Sequence, residues 1–432
     1  MTLALLTSAL LSGIWAAGAQ ARTNTVVVHR LPFGLSIEYP LLQRALGPGP
    51  CPAPALLARL RNLGSPPIRV GGDSQDLAGP SAGYRFVIGP SFFASLGCLA
   101  RETGSQVSVG LNFGDGTLAD ALTIVAEARA AIPAAQLSFS LGNEPDLYTF
   151  RHELWNEPGF MVPLQRGPSW SAAAYARQWR LWRAMLGPIR LEGPDLASGR
   201  WARAARSMLI ANRPTQITGH FYPTVASGSH ASATRARLLS RYTDLVQVTQ
   251  LGWLISASRA TGRPAVISES NSASRGGRPG LSDSPVASVW AVRYVLGALL
   301  FGFQQVYFHS AGTSYDPFVF NADGTITERP LGNALGFMHR WLPVGSRLRS
   351  VTSGPGLMEV SVSGAGPASV ILSSFSRTAV LVPLTVTGSA GAVETDTLST
   401  RAPTDEVKPI PFHHRRVTVR VAPDTVVAVR VG

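Results

Sequence analysis

The sequence predicts an α/β protein, a (β/α)₈ TIM barrel followed by a C-terminal antiparallel β-sandwich domain. Three observations predict it. The chain has 432 residues, more than one ordinary core needs and suited to a barrel plus a smaller domain. Up to Trp341-Leu342-Pro343, short apolar, β-branched runs alternate with helical patterns, the rhythm of a βα barrel. Beyond that point the helical pattern stops, and residues 345–432 are rich in Val, Thr, Ser and Gly in alternating stretches.

Eight barrel strands can be placed in order: Phe33–Glu38, Pro67–Gly71, Gln106–Asn112, Gln136–Gly142, Ile189–Gly193, Ile217–Tyr222, Pro264–Glu269 and Gln304–His309. Amphipathic segments lie between them, such as Ala53–Leu63, Leu118–Ile132, Ala172–Leu186, Ala233–Thr261 and Pro285–Phe303. Glycine and proline punctuate the junctions, as at Gly64-Ser65-Pro66-Pro67 and Gly262-Arg263-Pro264. Ser284-Pro285 fits a helix cap with proline in the first turn. In the second domain the strand candidates are Leu357–Val362, Ser369–Ser374, Ala379–Val386, Arg416–Val421 and Val426–Val431, while Pro403–Pro411 reads as a loop. The division expected is residues 1–21 leader, 22–30 an N-terminal strand, 31–343 the barrel and 344–432 the β-sandwich domain.

The leader reading rests on the apolar run Leu3–Ile14 and on the small-residue sites Ala17-Gly18-Ala19 and Ala19-Gln20-Ala21. Its departure from pattern is the lack of Lys or Arg before the apolar run, and a buried or anchoring helix is the alternative. A secreted or periplasmic protein is expected. Only Cys51 and Cys98 are present, so either one disulfide or two buried thiols follows. The formal net charge is +13, which could attract an acidic partner. Lys408 is the sole lysine among 38 basic residues, an imbalance that points to coding bias instead. The arginines are scattered without interleaved aromatics, which argues against nucleic acid. No further stretch is apolar enough to suggest a membrane span.

Two glutamates carry the chemistry. Glu144, in Gly142-Asn143-Glu144-Pro145-Asp146, and Glu269, in Ser268-Glu269-Ser270-Asn271-Ser272, each end a short apolar run and precede loop residues. Carboxylates at the C-terminal ends of barrel strands sit where such barrels do chemistry. Two of them on different strands can split a glycosidic bond, one donating a proton and the other serving as nucleophile or base. Surface salt bridges are the plainer alternative. Tyr222, two residues beyond His220 on the sixth strand, is placed to aim one carboxylate with its phenol, and His220 could support the site. Asp73 and Asp76 after strand two, and Glu38-Tyr39 after strand one, could grip hydroxyl groups or merely stabilise loops. Trp170, Tyr175, Trp179 and Trp182 could form a platform for sugars, but their helical spacing favours core packing. No phosphate-binding loop, nicotinamide fingerprint, nucleophile elbow or metal-ligand set stands out, so neither cofactor nor metal is expected.

These stretches, with Gly71-Gly72-Asp73-Ser74-Gln75-Asp76 and His220-Phe221-Tyr222, resemble retaining glycoside hydrolases of the heparanase-like family 79, within clan A. The resemblance covers most of residues 30–340. The Asn-Glu pair is shared across the clan, whereas the Gly-Gly-Asp-Ser-Gln-Asp and Glu-Ser-Asn-Ser stretches are more specific. It implies Glu144 as acid/base, Glu269 as nucleophile and Asn143 on the sugar 2-hydroxyl. It also implies that Asn24–His29 pairs with the C-terminal domain. The loop Phe308–Pro317 resembles the part that holds a uronate carboxylate, with Gly312 and the backbone amides around it and the Tyr315 hydroxyl as donors. Ser310-Ala311 replaces a more glycine-rich version there. Arg275, just after Glu269, is a second candidate for the uronate, or else a surface charge. The implied function is a monomeric, secreted β-glucuronidase acting on a glucuronide or a uronic-acid-containing glycan. The alternatives are a clan β-xylosidase or β-glucosidase, or a dead barrel that only binds carbohydrate.

Overall fold

The computed structural model describes residues 25–431, apart from 151, 154–160, 163–164, 322, 352–355, 386–392, 401–405 and 411–415. The leader lies outside the described residues. Eight parallel strands close into a barrel: Phe33–Ile37, Ile68–Val70, Val107–Leu111, Leu137–Leu141, Leu191–Leu196, Ile217–Phe221, Ala265–Ser270 and Gln305–Ser310. Closure comes from the eighth strand pairing with the first, with Val306 opposite Phe33 and Ser310 opposite Ile37. Strands buried on both faces read as continuous apolar runs, which is why they were legible. Polar residues inside these runs, such as Arg69 and Glu192, point to a barrel interior that is partly polar.

Helices surround the barrel. The predicted segment Ala233–Thr261 is two helices, Arg235–Leu238 and Arg241–Thr261, broken where Ser240 is extended (ψ 157°). Ala172–Met185 buries Tyr175, Trp179 and Trp182 in the core, so these rings are packing and not a sugar platform. Pro285–Phe301 is buried nearly all round, because one face meets the barrel and another meets the C-terminal sheet. Its Arg293 reaches into that sheet, donating to the Ser373 hydroxyl and the Ser374 carbonyl, with its guanidinium 4.4 Å from the Phe375 ring centroid.

The C-terminal domain is antiparallel. Its seven-stranded sheet runs Val26–Val27, Arg347–Val351, Leu357–Ser363, Ser369–Ser374, Thr425–Val431, Val393–Ser399 and Glu406–Ile410. The N-terminal strand therefore belongs to this sheet, Val26 facing Leu348 and Val27 facing Arg347. A two-stranded ribbon, Val380–Thr385 with Arg416–Val421, covers one face. Val382, Val417, Val419 and Val421 from the ribbon pack with Leu372, Val393, Val427 and Val429 from the sheet. The segment read as a loop, Pro403–Pro411, contains the strand Glu406–Ile410. It is the sheet's outermost strand, and an edge tolerates a proline such as Pro409, which has no N–H to give to a ladder. Cys51 and Cys98 are bonded, their Cα atoms 5.3 Å apart, which resolves the choice left open by the sequence.

Candidate active site

Glu144 stands at the mouth of the barrel in a turn that the sequence makes possible residue by residue. Gly142 has φ +74°, and a Cβ there would collide with the Tyr148 hydroxyl. Glu144 itself is left-handed at φ 52°, an uncommon state for a non-glycine residue and one that costs free energy. Pro145 then opens a short 3₁₀ turn. The amide of Glu144 donates to the Asp195 carbonyl at 3.0 Å, which ties the turn to the fifth strand. Asp76 accepts the amides of Phe113, Gly114 and Asn143 and the Tyr148 hydroxyl, at 2.8 to 3.0 Å. That carboxylate is buried and fully engaged, so the expectation that Asp76 grips hydroxyls of a ligand is corrected: it braces the turns after strands three and four.

Glu269 faces Glu144 from the seventh strand. Its Oε1 accepts the Tyr222 hydroxyl at 2.9 Å and its Oε2 accepts Arg69 Nη1 at 2.8 Å. His220 lies between the two carboxylates, its Nδ1 3.0 Å from Glu144 Oε1 and 3.7 Å from Glu269 Oε2. One polar atom each from Glu144, His220 and Glu269 lies within 4.8 Å of the other two. That spacing is of the order of the short separation, about 5–5.5 Å, at which one carboxylate of a glycosidase pair can attack directly. The same three groups could offer ligands to a cation. The Arg69 guanidinium on Glu269 and the charge on His220 oppose that use.

The two carboxylates differ in charge preference. Burial pushes the Glu144 carboxyl up, and the charges of Glu269 and Asp73 add to this against the bond from His220. Burial would raise Glu269 as well, but His309, His220, Arg69 and the Tyr222 hydroxyl together hold it down to about 2. Environments that drive two carboxylates apart assign one as acid and the other as a standing anion. Burial works against a charge on His220, yet Glu269, Asp195 and Glu144 raise it to about 10.

The remaining predicted residues fall at or near this cluster. Asn143 accepts Arg69 Nη2 on its Oδ1 at 2.9 Å, and its Nδ2 is turned toward Asp73 Oδ1 at 3.4 Å. Asp73 is half-buried beside it. Glu38 is buried, accepting the amides of Asp73 and Ser74 at 3.0 and 2.8 Å, with His309 Nε2 3.2 Å away. Its oxygens therefore hold the second and eighth loops together, as the loop-stabilising reading expects. Gly72, at φ +91°, is what lets that carboxylate and His309 approach, since a Cβ there would overlap both.

Gly312 is engaged within its own loop. Its amide donates to Asp316 Oδ2 at 2.8 Å, and the Ala311 amide donates to Oδ1 at 3.1 Å. Asp316 folds back on its own loop and takes the donors assigned to a ligand. The amides of Ser314 and Tyr315 have no acceptor among the described residues. Tyr315 is buried, stacked on Tyr222 with centroids 6.5 Å apart, and near Glu269. Arg275 is exposed and donates to the Ser227 carbonyl at 3.2 Å, a surface-loop contact.

Sequence reasoning missed Arg69, Asp195 and His309. Arg69 is fully buried and touches Glu269, Asn143 and Ser36. A charged residue in the middle of the apolar run Ile68-Arg69-Val70 was the available signal, since a buried charge needs a partner.

These shifts have a consequence for stability. His220 is raised from 6.5, so its ion pairs stabilise the fold fully below about pH 6.5 and lose that contribution as pH rises through about 10. His309, raised by Glu269 and Glu38 despite burial, adds in the same direction. Glu269 is lowered from 4.5, so its contribution is present above pH 4.5 and fades as pH falls through about 2. The unfolding midpoint of the wild type should therefore decline from neutral pH toward pH 10. In His220→Gln the slope of that decline should be shallower. Calorimetric scans across the range check this, and parallel curves for the two proteins would contradict it.

A parallel barrel with facing carboxylates at the C-terminal rim is an architecture of glycoside hydrolases. Comparison with known proteins agrees. The chain is 28% identical to a β-glucuronidase of Neurospora crassa, the match covering 59% of this chain and 52% of that protein. It is 25% identical to a β-glucuronidase of Aspergillus niger, over 62% and 56% of the two chains. The chain thus spans about half the length of the curated relatives it matches. Among solved structures, a 4-O-α-L-rhamnosyl-β-D-glucuronidase from Fusarium oxysporum superposes with a TM-score of 0.74 at 20% identity, covering 94% of this chain and 98% of that one. A GH51 α-L-arabinofuranosidase from Thermotoga petrophila gives 0.67 at 13% identity, covering 95% and 98%. At these identities the structures establish the shared fold. No family model matches the chain.

Proposed function

We propose that this chain is a retaining β-glucuronidase that cleaves β-linked glucuronides by double displacement. The observation that carries the reading is the close pair Glu144 and Glu269 with opposed charge preferences. Glu269, kept anionic, attacks the anomeric carbon while Glu144 gives its proton to the departing oxygen. A covalent glycosyl ester of Glu269 results. Glu144, now a carboxylate, takes a proton from water, which attacks the same carbon and releases Glu269. Tyr222 and Arg69 aim the nucleophile. The Asn143 amide takes the sugar 2-hydroxyl, the role the resemblance implies for it. The similarity to two fungal β-glucuronidases supports the uronide substrate. The disulfide and the leader-like N-terminus support export to an oxidising compartment.

Burying a uronate costs several kcal/mol unless donors meet it. The Tyr315 hydroxyl and the amides of Ser314 and Tyr315 are the donors proposed for it. The test is a panel of aryl β-glycosides differing only at C5. The glucuronide should be turned over far faster than the glucoside or xyloside. Loss of a hydrogen bond to a charged group costs about 1.5–3 kcal/mol. Tyr315→Phe should then lower kcat/KM for the glucuronide roughly 10- to 100-fold and barely affect neutral sugars. A wild type that prefers the neutral sugar, or equal slowing of both by Tyr315→Phe, would assign another β-glycosidase specificity to the same barrel.

A further inference from the structure

Asp195 is a buried carboxylate that no step above employs, and it contacts the Glu144 backbone and the neighbours of Glu269. It follows Gly193-Pro194 at the end of the fifth strand and is left-handed, with φ 51°. A strained, buried, charged residue in that place calls for a reason. Its backbone carbonyl holds the Glu144 amide at 3.0 Å. Its Oδ1 accepts Ser268 Oγ at 2.5 Å, next in sequence to Glu269, and lies 3.5 Å from His220 Nε2. Its Oδ2 lies 3.7 Å from Arg69 Nε. Arg69 and His220, both in contact with Glu269, therefore share one counter-ion behind them.

We infer that Asp195 is a positioning residue that keeps His220 charged, so that one negative charge is left to be exchanged between Glu144 and Glu269. The charges support this. Arg69 and His220 each reach Glu269, and Asp195 meets the same two cations at 3.7 and 3.5 Å. When Glu269 becomes an ester it loses its charge, and Glu144 gains one by giving up its proton. The net charge of the site is therefore the same before the first step and at the intermediate. Without the carboxylate of Asp195, both states would carry one more positive charge in a buried place, and His220 would be the group to shed it. The charged groups that act on His220 are Glu144, Asp195, Glu269, Arg69 and Asp146, and His309 reaches the same Glu269 oxygen. Asp195 approaches Nε2 at 3.5 Å, whereas Glu144 and Glu269 approach Nδ1.

The kinetic consequence rests on the glycosidase reading, but the charge on His220 does not, so the two are tested separately. Nitrogen and carbon NMR of histidine-labelled protein, with His220→Gln to assign the signal, reads the ring directly. Wild-type His220 should stay protonated on both nitrogens past about pH 8. In Asp195→Asn its midpoint should fall by about one unit or more. Ser268→Ala removes a hydrogen bond and leaves the charge, so its midpoint should stay within about half a unit of wild type. On an aryl glucuronide, Asp195→Asn should lose about tenfold in kcat with little change in KM. A neutral His220 at pH 7 in the wild type would overturn the proposal without any variant. So would an unmoved midpoint in Asp195→Asn, or an equal shift in Ser268→Ala. Correct His220 titrations with no turnover of any glycoside would instead overturn the glycosidase reading and leave the charge relation standing.

Discussion

Glu269→Ala should abolish turnover of an aryl β-glucuronide, with kcat falling roughly 10⁴-fold or more, and azide should restore product with inverted configuration. The size follows from the position of this carboxylate. Its Oε1 is held by Tyr222 and its Oε2 by Arg69, so it is fixed as well as ionised. A preformed anion at near-attack distance contributes by orientation and by forming the covalent intermediate, and removing a residue that forms one costs several orders of magnitude. Alanine leaves a space beside Arg69 and His220 into which a small anion can enter. Azide there attacks the anomeric carbon once, so the glycosyl azide carries the opposite configuration to the substrate. Chromatography and proton NMR of the product check this. Retained configuration, or unchanged turnover, would assign the nucleophile elsewhere.

Much of this arrangement was legible in the sequence because it lies in short range. Glu144, Asn143, Glu269, His220 and Tyr222 each follow directly on an apolar run, and a strand end followed by polar residues can be read locally. The barrel was legible for the same reason. What escaped is long-range. Arg69 meets Glu269 across 200 residues of sequence, and no local pattern announces that partner. Asp195 lies beyond the end assigned to the fifth strand, which reaches to Leu196 rather than Gly193. The engagement of the Gly312 amide escaped because its acceptor, Asp316, stands four residues on in a loop without a repeating pattern. The hold of Glu38 on the Asp73 and Ser74 amides escaped for a related reason: it joins segments far apart in sequence. The strand Glu406–Ile410 was hidden by prolines, which argue against central strands but not against edges.

Glu144→Ala should separate substrates by their leaving groups, and this is the sharpest test of the acid role. The turn that carries Glu144 is braced by Asp76, Asp195 and Pro145, so truncating the side chain leaves the backbone donors in place. A dinitrophenyl glucuronide needs no proton on departure, and glycosylation of Glu269 should proceed at nearly the native rate. An alkyl or sugar leaving group does need one, and general acid catalysis is worth about 10²–10⁴-fold. For such substrates kcat/KM should drop by that range. The second step also lacks its base, so the ester on Glu269 should accumulate on good substrates and show as a burst. Azide should then release a product of retained configuration, because it replaces water on the already inverted intermediate. Opposite stereochemistry of the azide products from Glu144→Ala and Glu269→Ala distinguishes the two carboxylates more securely than any rate. Equal losses on good and poor leaving groups would remove Glu144 from proton transfer and pass that role to His220, which stands 3.0 Å away.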